Sequence, residues 1–79
     1  MKKSEMQEKF RYLLNSRKET LQKSKKNGNE GVALMCYGEI CGIAVSMWSI
    51  GLIDFDQRDY IQNEAFDIYA GKEPEYEAC

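Results

Sequence analysis

A chain of 79 residues with 43% hydrophobic and 30% charged side chains makes one small domain, near the lower size at which a single core holds a fold unaided. That balance excludes wholesale disorder, and the lack of any histidine removes the usual proton carrier of catalysis near neutral pH. The net charge of −2 hides an asymmetry: residues 1–29 carry +6 and residues 30–79 carry −8, so the two halves either pair internally or present separate basic and acidic faces.

The first segment, "SEMQEKFRYLLNSRKETLQKSKK", predicts a helix over 4–26. Ser4 and Gln7 stand at capping-box spacing. Met6, Phe10, Leu13, Leu14 and Leu21 fall on one helical stripe, with Arg17 filling the remaining turn. Lysines gather in the last turn, where the helix dipole favours them, and Asn27-Gly28 stops the helix. Arg11, Arg17, Lys18, Lys23, Lys25 and Lys26 form the one basic element able to meet nucleic-acid phosphates, with Phe10 and Tyr12 as stacking partners. Glu5, Glu8 and Glu19 interrupt that face, and Phe10 belongs to the apolar stripe.

After the short link "NGNEG", in which Asn29 is available as an N-cap, a second helix is expected over 30–50, ending at Gly51 in the left-handed conformation. Val32 to Ile53 contains a single charged side chain, Glu39, and is long enough to cross a bilayer. The excess of Lys and Arg before it and the GxxxG step of Gly38 and Gly42 agree with a membrane span. Two arguments favour a soluble core helix instead. Glu39, Gly42, Ser46 and Ser49 fall at i, i+3, i+7 and i+10, one narrow polar edge on an otherwise apolar cylinder. The apolar stripes of the first and third helices also need cover, and the second helix is the one surface long enough to supply it.

"GLIDFDQ" then reads as a tight helix–turn–helix corner. Leu52 folds back on the preceding turn, and Asp54 with Gln57 makes a capping box for a third helix over 55–70. That helix sets Ile61, Ala65, Ile68 and Tyr69 on one face, with Phe66 and Tyr60 at its edges, and Gly71 closes it. "GKEPEYEAC" is expected to be an irregular acidic tail over 72–79.

Candidate chemistry is sparse. Cys36 and Cys41 are five residues apart, about 140° around a helix, so they point apart and do not bridge each other. With Cys79 they read as reduced thiols of a cytoplasmic protein, and neither helical cysteine has an evident base to make it a nucleophile. Cysteine spacing offers no zinc site, the carboxylates Asp54, Asp56 and Asp59 are explained by capping and dipole, and no phosphate-cradling loop is present. Glu39 either sits among apolar neighbours or lies on the exposed edge, paired with a basic residue of the first helix.

The expectation is an all-α, three-helix bundle with a central hydrophobic second helix, a corner at Gly51–Asp54, no metal, no cofactor and no small-molecule substrate. The succession of a basic helix, a hydrophobic helix, "GLI" and an acidic helix is similar to short accessory proteins of bacterial phages and mobile elements. Val32, Leu34, Met35, Tyr37, Ile40, Ile43, Val45, Met47, Trp48 and Ile50 are more than a monomer of this size hides, and such a remainder marks an association surface. The functional expectation is therefore a non-enzymatic protein that binds a protein partner or itself as a homodimer. Gly38, Gly42, Met35, Val45 and Trp48 are the surface residues. The alternatives are a nucleic-acid-binding regulator using the first helix, and a single-span membrane protein spanning 32–53.

Overall fold

The computed structural model describes residues 2–71; the acidic tail expected over 72–79, with Cys79, lies outside them. Three α-helices follow in order: α1 (Lys3–Lys26), α2 (Glu30–Ser49) and α3 (Phe55–Tyr69). The chain is a small three-helix bundle in which α2 packs against both α1 and α3.

The helix ends show why the chain turns where it does. Asn27 closes α1, and Gly28 follows at φ +76°. The amide of Asn29 then donates to the Ser24 carbonyl at 2.8 Å and that of Gly28 to Lys25 at 3.2 Å, a Schellman closure that satisfies carbonyls the helix leaves open. Asn29 at once caps α2, its side chain accepting from the Val32 amide at 3.3 Å. The same device ends α2: Gly51 stands at φ +80°, with Leu52 donating to Met47 at 2.9 Å and Gly51 to Trp48 at 3.1 Å. A β-carbon at either positive φ would be strained. Leu52, brought back by this turn, is buried in the core.

Asp54 and Gln57 form the expected capping box of α3, with the Gln57 amide donating to Asp54 at 2.8 Å and the Asp54 amide donating to the Gln57 side chain at 2.9 Å. Replacing Asp54 by Ala should cost about 1 kcal/mol of stability, read as a lower urea midpoint with an unchanged slope. The other expected box does not form. Helix α1 begins at Lys3, with Lys2 as N-cap and no side-chain cap, so Ser4 already lies inside the first turn. The Gln7 side chain instead donates to the Leu52 carbonyl at 3.2 Å, tying the start of α1 to the α2–α3 corner.

The core joins Leu14 and Leu21 of α1, Ala33, Cys36, Ile40 and Met47 of α2, Leu52 and Ala65, with Met6, Phe10, Ile43 and Ile61 packed around it. Leu13, expected in the stripe, is 40% exposed. It lies at the edge of a stripe whose centre runs through Phe10, Leu14 and Leu21, and α2 is too narrow to cover it. Ala33, Ala44 and Ala65 are all but inaccessible, and such small side chains allow helix axes to approach closely. Tyr37 stacks on Tyr69 at 5.3 Å and meets Phe66 edge-on at 6.2 Å, which makes an aromatic seam between α2 and α3. Lys18 pairs with Glu64, joining basic α1 to acidic α3, and Lys25 pairs with Glu30 at 2.9 Å across the first link.

Candidate interaction surface

Helix α2 has two opposed faces. Ala33, Cys36, Ile40, Ala44 and Met47 are buried, while Gly31, Leu34, Met35, Gly38, Glu39, Gly42, Val45, Ser46, Trp48 and Ser49 are exposed. Of the five residues singled out from sequence, Met35, Gly38, Gly42 and Val45 share the side that neither α1 nor α3 covers, and Trp48, also exposed, stands at its edge against Phe55 and Arg58 of α3. Met35 is 66%, Leu34 56%, Trp48 40% and Val45 38% exposed. Isolated exposed apolar residues are ordinary on protein surfaces, but these four fall within about 140° of arc on α2, Leu34 and Met35 towards one end and Val45 and Trp48 towards the other.

The two glycines at the centre of this face do nothing inside the monomer. A β-carbon built on Gly38 or Gly42 meets nothing within 4 Å, and neither has the positive φ found at Gly28, Gly51 and Gly71. Each glycine in a helix interior costs roughly 0.5–1 kcal/mol relative to alanine. Gly38→Ala should accordingly stabilise the isolated chain by about that amount, measured by urea unfolding at low protein concentration. The result to the contrary, a loss of stability, would mean that the position is already crowded within one copy.

At its C-terminal end the face runs into an aromatic cluster that sequence reading missed. Trp48 and Phe55 meet edge-on at 6.2 Å, and the Arg58 guanidinium lies 4.7 Å from the Trp48 ring and 4.4 Å from that of Phe55. Cation–π attraction strengthens where water is excluded, and Arg58 Nε is shielded from solvent with no hydrogen-bond acceptor. Nothing in the sequence pairs Trp48 with Arg58; the tight corner brings them together. Tryptophan and arginine are the residues most enriched at the energetic centres of protein interfaces.

Glu39 takes the exposed-edge position, with Arg17 at 3.8 Å and side chains 45% and 37% exposed. Exposed pairs of this kind contribute about 0–1 kcal/mol. Of the other basic residues of α1, Lys18 and Lys25 are held in ion pairs with Glu64 and Glu30, and Lys25 also lies 5.1 Å from the Tyr69 ring. Arg11, Lys23 and Lys26 are exposed; at 100° per residue they fall within about 120° of arc, but Arg11 stands about 18 Å along the axis from Lys23.

The cysteines divide. Cys36 is 2% exposed, and burial, then the nearby Glu39 charge, pushes its thiol up, opposed in part by Arg17. A raised pKa leaves little thiolate near neutral pH. Cys41 is half-buried and unbridged; beside it, burial first and the thiol second push the Tyr37 phenol up. Among the described residues no group of three or more His, Cys, Asp or Glu is placed to hold a metal ion. An open groove of about 400 Å³ between α1 and the corner is lined by Arg11, Leu14, Met47, Ile53, Tyr60 and Ile61 among others, and its floor is chiefly apolar.

Compared with known families, curated proteins and solved structures, the chain matches no family model, no curated protein and no solved structure.

Proposed function

We propose that this protein is a non-enzymatic interaction module that acts by associating with a second copy of itself or with another protein through the outward face of α2. The observation that carries the reading is the exposed apolar band around Gly38 and Gly42, two helix-weakening residues with open space before them. A face of this composition gains free energy on being covered at roughly 25 cal/mol per Å² of apolar area. Arg58 between Trp48 and Phe55 supplies the rigid aromatic anchor that concentrates binding energy in such contacts.

A second reading has one observation in its favour. Helix α2 is 20 residues long with a mean hydropathy of 1.4, enough by length and composition to cross a membrane, and 28% of its apolar window is buried within the bundle. The protein-contact reading is preferred because α1 and α3 have their apolar stripes on α2, and insertion into lipid would strip both of cover. Size-exclusion chromatography with light scattering at micromolar concentration, without detergent, tests the choice. A species of twice the 9.2 kDa chain mass supports self-association. A monomer that co-floats with lipid vesicles would support the membrane reading instead.

A further inference from the structure

We infer that two copies of this chain join through the outward face of α2 as an antiparallel pair, with the two-fold axis beside Gly38 and Gly42, so that Gly38 of one copy lies on the partner's Gly42. The inference rests on the self-association proposed above and adds its geometry.

The first argument is the order of residues along the face. Gly31, Met35, Gly38, Gly42, Val45 and Ser49 follow one another at steps of four and three, the spacing of a continuous seam between two helices. Read from either end the steps are the same. Reversal about the level of Ile40 also matches size with size: Gly38 with Gly42, Met35 with Val45, Gly31 with Ser49. A two-fold interface requires a patch complementary to itself, and for two antiparallel helices that means this kind of reversal symmetry. At the crossing point the glycines let the backbones touch. Away from it crossed helices diverge, and there Met35 and Val45 fill the widening gap.

The second argument is area. Leu34, Met35, Val45 and Trp48 are exposed on a patch of roughly 400 Å². Doubling it and adding the glycine and serine backbone gives about 1,000 Å², the lower limit for a specific protein contact. One copy alone leaves this surface to water; a second copy covers it with no other component.

The third argument is charge. Arg58 is the one basic residue in α2, α3 and the corner between them, and it is held at the Trp48 end. At about 1.5 Å of rise per residue, reversal about Ile40 brings the partner's Glu30 within roughly 3 Å of the level of Trp48. Glu30 and Trp48 lie on the same side of α2, so the partner's Glu30 approaches Arg58. Its carboxylate already accepts from Lys25 and has lone pairs to spare. A parallel pair would leave the partner's Glu30 at the far end of α2, about 27 Å from the level of Trp48. Near the axis the two Glu39 carboxylates share one side, each with its own Arg17.

The test uses the whole chain. Protein carrying Met35→Cys is mixed with protein carrying Val45→Cys and oxidised gently, and the disulfides are assigned by peptide mass mapping. The antiparallel pair yields at least tenfold more 35-to-45 than 35-to-35 linkage. A short bismaleimide joins the native Cys41 of one copy to the partner's Cys41. Gly42→Leu abolishes the dimer by light scattering while circular dichroism shows a helix content and unfolding midpoint no lower than those of the unmodified monomer. A dimer linked mainly 35-to-35, or not linked at these positions, overturns the geometry and leaves self-association standing. A monomer at 100-fold higher concentration than the cross-linking mixture, with or without vesicle binding, overturns both.

Discussion

Leu21→Ala is expected to remove about 3 kcal/mol of stability and to lower Tm by roughly 15 °C. Leu21 has no exposed surface and sits where α1 closes on α2, two turns before the Schellman closure at Gly28. Truncation there loses the transfer energy of the missing methyl groups and leaves a cavity that rigid helices fill only in part. A domain this small has on the order of 4–12 kcal/mol in total, so the single change is a large share. Leu13→Ala serves as the internal comparison. Leu13 is 40% exposed, and its loss should cost under about 1 kcal/mol. Urea unfolding followed by circular dichroism reads both, and equal losses at the two sites would contradict the placement of the α1 stripe.

Ala65→Leu should destabilise by about 1–3 kcal/mol, this time by overfilling. Ala65 is the buried residue of α3, 1% exposed, and lies in the core with Ile61 and Ile68 beside it. Added methylene groups have no free volume to enter in an interior packed to crystal density, so α3 must shift outward. The single tryptophan reports the shift. Trp48 touches Phe55 and Arg58 of α3, and displacement of α3 opens that cluster to water and moves the emission maximum to the red. An unchanged emission spectrum together with undiminished stability would show that α3 is not held through Ala65.

Both variants probe the same property, the dependence of a small bundle on one central helix. With α2 removed from between them, α1 and α3 keep little more than the Lys18–Glu64 pair and the contacts of their inner edges. The outward face of α2 is then the part of the central helix left over. In a larger domain a fourth helix would lie there. Here the proposed occupant is a second α2.

The three helices, their ends and the corner are determined by the sequence itself, because local chemistry settles them. Asn29 and Asp54 cap the residues that follow them, glycines at 28 and 51 take a backbone shape other residues resist, and apolar spacing sets which face of each helix turns inward. Short-range signals of this kind need no knowledge of neighbours. They fail at the start of α1: the helix begins at Lys3, ahead of the box expected at Ser4 and Gln7, and Gln7 donates instead to the Leu52 carbonyl, 45 residues away. Leu13 falls outside the core for a related reason, since periodicity gives the direction of a stripe and only the width of the opposing helix gives its extent. The exposure of Glu39 beside Arg17, the stacking of Arg58 on Trp48 and Phe55, and the open space before Gly38 and Gly42 likewise depend on where α1 and α3 settle around α2. That placement is decided by packing among buried alanines and by pairs joined across the bundle, and no single segment of the chain contains it.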